Sequence, residues 1–186
     1  MRQKLSFAQV QSRRPGPAEL ASRPRMPVVA VLDNVRSLNN VGSIFRTADG
    51  VRLEELVLCG ITGSPPRNEI RKTSLGAEES VPWRKEKSAI EAASGYRRSG
   101  YQIAVLEHTT FSMDYRRAAY RFPLCLIVGH EFHGVSQDLV KEADIAIEIP
   151  MHGVKVSLNV SVAFGVAVYE IMTHWQKDSG YEEAVG

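Results

Sequence analysis

No G-x-G-x-x-G follows the first apolar run of this sequence, and no G-x-x-x-x-G-K-[ST] occurs anywhere in it. Both usual nucleotide cradles, in which glycine lets main-chain amides approach a phosphate, are therefore missing. Long apolar runs are missing too. Nothing reaches the length of a membrane span, and the basic N-terminus lacks the apolar stretch of a signal peptide. A cytoplasmic protein with no membrane partner is expected. Cysteine is scarce: Cys59 and Cys125 are the only two. Each sits in an apolar, strand-like run, and a buried free thiol is the expectation for both. The H-E-F-H stretch at 130–133 falls one residue short of the H-E-x-x-H zinc pair. Its histidines cannot share one helix face as that site needs, so no metal is expected. There is no internal repeat and no low-complexity tract.

What is present suits one domain. The chain has 186 residues, 44% hydrophobic and 24% charged, which is enough to bury a real core. Its net charge of +2 conceals a division. Residues 1–27 carry Arg2, Lys4, Arg13, Arg14, Arg23 and Arg25 against Glu19 alone, a net +5, which leaves −3 for the remainder. The same stretch holds Pro15, Gly16, Pro17, Pro24 and Pro27. It reads as a mobile or partly helical basic arm. Composition leaves phosphate contact and a solubilising role both open. The main domain is expected at 28–175, with a flexible tail at 176–186.

Beyond the arm, strand and helix signals alternate. VVAVLD (28–33), ELVLCG (55–60), YQIAVLE (101–107), PLCLIVG (123–129) and DIAIEIP (144–150) read as apolar strands. SLNNVGSIFRTADGV (37–51), a basic stretch at 67–75, SAIEAASGYRRSG (88–100) and SQDLVKEA (136–143) read as helices, with Ser136 capping the last. This alternation predicts an α/β fold with a mainly parallel sheet flanked by helices. Pro150 and Gly153 then break regular structure, and Ser157 is positioned to cap a final helix. That helix is apolar almost all round, so it must be covered on both sides, by the core and by a second subunit. Ser161 and Gly165, like Ala163 and Ala167, are four apart, a spacing that permits a close helix contact.

In parallel sheets, ligands bind at the carboxyl ends of strands. Those ends carry Asp33, Asn34, Arg36, Asn40 and Arg46 after the first strand, and Leu106, Glu107 and His108 after the third. Gly129, His130, Glu131 and Gly134 follow the fourth. Ile149, Pro150 and Met151 follow the fifth and run on to Ser157 and Asn159. Each has a bland reading beside the functional one. Arg46 could be an ordinary ion-pair residue, and Asn40 and Asn159 could be caps alone. A hydrolase set of Ser157, His152 and Glu131 is unsupported, because no G-x-S-x-G elbow accompanies it. Their joint placement at strand ends favours a binding crevice.

Three stretches, NNVGSIFRTADG (39–50), LIVGHEFHGVS (126–136) and IPMHGVKVSLNVSVAFGVAVYE (149–170), resemble in order and spacing the signature motifs of the SpoU/TrmH-type RNA 2′-O-ribose methyltransferases of the SPOUT class. TSLGAEESVP (73–82) resembles the segment that links the first motif to the rest. The resemblance covers roughly residues 28–175. It implies a C-terminal deep trefoil knot, an S-adenosylmethionine site within the knot, and a homodimer whose active site draws on both subunits. It implies catalytic roles for Asn40, Arg46, Glu131, Ser157 and Asn159. It implies cofactor contacts from Leu106, Glu107, Gly129, Ile149, Met151 and Leu158.

The implied reaction is methyl transfer to a ribose 2′-hydroxyl of RNA, with transfer RNA favoured over ribosomal RNA as partner. It asks the protein mainly for geometry. The family proposal has Arg46 activate the hydroxyl, although a guanidinium, with a pKa above about 12, is a reluctant base. Two other readings stand beside it: an RNA-binding relative without turnover, and an α/β enzyme using a different nucleotide cofactor. The intact polar set speaks against the first and the missing glycine signatures against the second.

Overall fold

The structure, a computed structural model, describes residues 3–181. Two short helices, α1 (Phe7–Ser12) and α2 (Pro17–Ser22), lead into β1 (Met26–Asp33). There follow α3 (Leu38–Gly50), β2 (Leu53–Cys59), α4 (Asn68–Ser74), α5 (Ala77–Ser80), β3 (Trp83–Glu86), α6 (Ala89–Arg98) and β4 (Gln102–Leu106). The chain closes with β5 (Met113–Asp114), β6 (Leu124–Val128), α7 (Gln137–Glu142), β7 (Ile145–Glu148) and α8 (Val160–Ser179).

All strand pairings are parallel, in the order β3-β2-β1-β6-β4-β7-β5. The α/β expectation therefore holds. Alternate residues of the central strands feed two cores, as the two-residue period requires. Val28, Ala30 and Leu32 join Ile44 and Phe45 of α3 and Phe164, Val168 and Ile171 of α8. Val29 and Val31 join Ala89 and Ala92 of α6 and Leu139 of α7. Strands covered on both sides read as continuous apolar runs, and those were the ones visible in sequence. The two edge strands were not. β3 is the charged tetrapeptide WRKE and only half-buried, and β5 is two residues long.

The arm ends earlier than its composition suggested. Met26, the first residue of β1, is fully buried. The second arm helix is fastened to the domain. Arg52 Nη2 donates to the carbonyls of Leu20 at 2.8 Å and Arg23 at 2.9 Å, and Arg25 donates to those of Leu53 and Ser80. By contrast, α1 buries nothing and is held by its own capping box of Ser6 and Gln9. At the other end, α8 runs to Ser179, into the stretch expected to be a tail; residues 182–186 lie outside the described ones.

The final helix starts later than predicted, and Ser157 is not its cap. Asn159 is, its Oδ1 accepting from Ser161 N at 2.9 Å. The side chain of Asn159 also donates to Asn40, and that tertiary bond selects it over Ser157. Ser136 occupies the cap position of α7, but its hydroxyl caps nothing. Instead its amide donates to Asp33. The tightest helix contact is at Gly42 rather than on α8. A Cβ there would lie 2.0 Å from Thr73 Oγ1 and 2.4 Å from the Ile70 carbonyl, so α3 and α4 meet backbone to backbone. Within one chain α8 is covered on one side only, with Val162 50% and Tyr169 48% exposed. Both cysteines are free and buried. Burial raises both thiols, Cys59 to about 12, so neither is a thiolate near neutrality.

Candidate active site

The neighbouring strands β6, β4 and β7 end side by side, and their carboxyl ends open into one cleft of about 240 Å3. All six residues expected to touch a cofactor line it: Leu106, Glu107, Gly129, Ile149, Met151 and Leu158. So do Glu131, Ser157 and Asn159 of the expected catalytic set. The remaining two, Asn40 and Arg46, lie on α3 and do not line the cleft.

Two glycines shape the rim. A Cβ at Gly129 would fall 2.2 Å from the Gly134 carbonyl, so the loop after β6 doubles back onto its own strand. His130 and Gly134 close that loop with paired main-chain bonds of 3.0 and 2.8 Å. Gly134 adopts φ +68°, a left-handed conformation natural to glycine. Beside it, Glu107 Oε2 accepts from Val135 N at 2.8 Å, while Oε1 accepts from His108 N. Glu107 thus ties the end of β4 to the turn after β6. Asp33, 4% exposed, does the same for β1 through the amide of Ser136 at 3.0 Å.

Glu131 is the hub of the polar side. Its Oε1 accepts from Ser37 N and Asn40 Nδ2, both at 2.8 Å, and its Oε2 accepts from Arg36 N at 2.9 Å. An anion at the first turn of α3 also meets the positive end of that helix. Burial alone would push the Glu131 carboxyl up, but the Arg36 and Ser37 amides and the Asn40 side chain outweigh it and hold it below the usual carboxylate range. Asn40 Oδ1 accepts from Asn159 Nδ2 at 3.0 Å. One chain of bonds therefore fixes the loop after β6, the start of α3 and the start of α8 relative to one another.

Arg46 is on the same helix but on another side. Asn39, Gly42 and Asp49 mark the side of α3 that meets α4 and α5, through Thr73 and Ser80. Arg46 falls between them at helical spacing. It is exposed, and its side chain makes no hydrogen bond or ion pair with any other described residue. His152 does not line the cleft, so no hydrolase triad is assembled. His130 and His133 pack ring against ring at 4.8 Å, and His130 Nδ1 accepts from Phe132 N.

Sequence reasoning placed His108 at a strand end and gave it no role. In the structure it lines the cleft and reaches Glu148 Oε2 at 3.2 Å and the Val156 carbonyl at 3.1 Å. Glu148 itself went unremarked. Neither has a local sequence signal, since the contacts span 40 and 48 residues.

The cleft suits an adenosyl amino acid. Its walls are largely apolar, from Leu106, Val128, Ile149, Met151, Leu158 and Val160. The backbone at 149–151 and 157–158 belongs to no helix or strand, leaving it outside their hydrogen-bond ladders. Three carboxylates, Glu107, Glu131 and Glu148, stand around it and favour a cationic ligand.

Comparison with known proteins agrees with this geometry. Residues 27–169 match the model of the SpoU rRNA Methylase family. The chain is 30% identical to a tRNA (guanosine(18)-2′-O)-methyltransferase of Aquifex aeolicus, covering 88% of this chain and 77% of that protein. It is 31% identical to the enzyme of that name from Thermus thermophilus, covering 88% and 84%. Among solved structures, the A. aeolicus TrmH/SpoU tRNA modifying enzyme superposes with a TM-score of 0.75 at 30% identity, covering 84% of this chain and 78% of that one. An AdoMet-bound rRNA methyltransferase from Sinorhizobium meliloti gives 0.73 at 30% identity, covering 79% and 56%.

Proposed function

The chain belongs to the SpoU rRNA methylase family, and we propose that it transfers the methyl group of S-adenosylmethionine to a ribose 2′-hydroxyl of transfer RNA. The observation that carries the proposal is the bonded chain Glu131–Asn40–Asn159 set against an apolar cleft at three strand ends. The tRNA-directed names of the A. aeolicus and T. thermophilus relatives, most of whose length this chain spans, support that substrate. The S. meliloti neighbour's name supports ribosomal RNA as the second reading, but this chain covers 56% of that protein.

When bound, S-adenosylmethionine would supply an electrophilic methyl on a sulfonium that leaves as the neutral thioether. Leu106, Gly129, Ile149, Met151 and Leu158 would hold it through apolar contact and main-chain groups, with Glu107 fixing the rim. Glu131, Asn40 and Asn159 would keep the polar side in register, and Ser157 would line the path of the substrate ribose. Arg46 would donate to the substrate phosphate and hydroxyl, easing loss of the hydroxyl proton to water. Its fixed charge and five donors suit it to position rather than to accept.

Because Arg46 lies outside the lining of its own chain's cleft, we take it to serve the cleft of a second copy. The exposed side of α8, with Val162 and Tyr169, is the surface proposed for that homodimer. The C-terminal trefoil knot and a cytoplasmic location belong to the same reading. Among the described residues no helix is long and apolar enough to cross a membrane. Residues 1–25 are proposed as a phosphate-contacting arm, with Lys4, Arg13 and Arg14 on or beside exposed α1.

The test is direct. Incubating the protein with methyl-labelled S-adenosylmethionine and unmodified tRNA, then digesting to nucleosides, should release a labelled 2′-O-methyl nucleoside. Label absent from both tRNA and ribosomal RNA would overturn the proposal. Label in ribosomal RNA alone would keep the chemistry and replace the substrate.

A further inference from the structure

The segment at 149–158 supplies Ile149, Met151, Ser157 and Leu158 to the cleft, yet it is barely tethered. Among the described residues, the bond from His108 Nε2 to the Val156 carbonyl is the sole hydrogen bond that residues 149–158 make. Packing does little there, since Val154 is 99% and Val156 79% exposed. The other ring nitrogen of His108, Nδ1, lies 3.2 Å from Glu148 Oε2. The same carboxylate oxygen accepts from Ser112 Oγ at 2.5 Å, which fixes its position.

Both partners of the ring are acceptors. A carbonyl oxygen can only accept, so Nε2 must carry a hydrogen. The Ser112 hydroxyl first, and the His108 ring next, hold the Glu148 carboxyl below its usual range. Near neutrality it too only accepts, so Nδ1 must carry a hydrogen as well. A neutral imidazole has one N–H and would turn a lone pair toward one of the two oxygens. An imidazolium satisfies both.

We propose that His108 is a positioning residue that fastens the segment 149–158 against the cofactor cleft in its doubly protonated form. That the fastened cleft holds S-adenosylmethionine rests on the methyltransferase reading; the fastening does not. The charged groups around the ring come from every neighbouring element. Glu148 stands on β7, Glu107 at the end of β4 and Asp114 on β5, where it acts on Glu148. His130 and Glu131 line the same cleft, and the segment brings its own His152 and Lys155. A ring with a single proton can donate to only one of the two oxygens, so one of the two bonds is lost and the cleft wall loosens.

The experiment uses the full chain, first without ligand. Nitrogen-15 NMR of the His108 ring reads its protonation, and methyl relaxation of Val154 and Val156 reads the order of the segment. Across a pH series the wild-type segment should be ordered where the ring signal shows two protons and mobile where it shows one. His108→Ala should leave it mobile throughout. In Glu148→Gln the carboxamide N–H can donate to a bare Nδ1, so the segment should stay ordered throughout. S-Adenosylhomocysteine calorimetry should follow the same pattern, with wild-type affinity about tenfold weaker for the singly protonated ring and Glu148→Gln affinity flat. A wild-type segment equally ordered, or equally mobile, in both ring states would overturn the proposal. So would wild-type affinity that ignores the ring state. No binding at any pH, with the segment still ordering in acid, would instead sink the methyltransferase reading and leave the fastening intact.

Discussion

Asn40 and Arg46 stand on one helix and live in opposite surroundings. Asn40 is 9% exposed and bonded on both sides, to Glu131 and to Asn159. Arg46 is exposed, and its side chain is bonded to no other described residue. Six residues at about 100° each place their side chains about 120° apart. The half of the site that holds its own parts in place is finished within one chain. The half assigned to the substrate is left open, with a long cationic side chain that no other described residue holds in place. Preorganisation and availability are thus divided along α3.

Breaking the open half should cost the most activity. Arg46→Ala should lower methyl transfer by about a hundredfold or more, the size expected when one charged donor to a reacting group is lost. S-Adenosylhomocysteine affinity and thermal stability should not move, because the side chain supports nothing in the fold. Steady-state kinetics beside calorimetry would check this. A parallel loss of stability would mean Arg46 has a structural role that the structure does not reveal.

Breaking the closed half should show in stability as well. Glu131→Ala strips the acceptor from three N–H groups, at Arg36, Ser37 and Asn40. Leaving such donors unpaired costs about 1–3 kcal/mol, or a fall in Tm of several degrees at this chain length. The pH dependence has a definite sign. The folded Glu131 carboxyl lies below its ordinary value. Its contribution is complete above the ordinary glutamate range and is lost as pH falls through the lowered folded value. Melting curves of Glu131→Gln and wild type should therefore converge in acid and diverge toward neutrality.

A smaller effect is expected at Asn159. Its replacement by alanine removes the α8 cap, worth about 1 kcal/mol, and the bond to Asn40. Thermal melts should fall by about 2–4 °C. The matching change at Ser157 should leave Tm unaltered, since the hydroxyl caps nothing. Smallest of all is the arm. Deleting residues 1–16 removes α1 with its cations and spares the fastened α2. The salt dependence of RNA binding should flatten by about 0.7–0.9 in slope for each phosphate that the arm no longer neutralises, with cofactor affinity unchanged.

The closed half was also the more legible in sequence, though unevenly. β1, β2, β4, β6 and β7 announced themselves as apolar runs because both of their faces are buried. WRKE at β3 carries no such signal, and it is a strand because β2 offers it an edge. The order of strands was not legible, because crossovers set it over long separations. Ser157 and Asn159 are equally good caps by residue type. Asn40, 119 residues away in the chain, decides between them. Roles for Arg46 and Glu131 came from resemblance, since an exposed arginine and a glutamate after a glycine say little by themselves. His108 could not have been assigned, because both its partners are far along the chain and one is a main-chain carbonyl.

The division of α3 can be tested by mixing two inactive proteins, Arg46→Ala and Asn159→Ala, under conditions of subunit exchange and with differently tagged chains. Asn159 lines the cleft of its own chain, whereas Arg46 is assigned to the cleft of the partner. A mixed dimer then holds one site with both lesions and one site with neither, and methyl transfer should reappear in the doubly tagged fraction. If doubly tagged dimers form and stay inactive, Arg46 acts within its own chain, and the account of an open half completed by a second subunit is wrong.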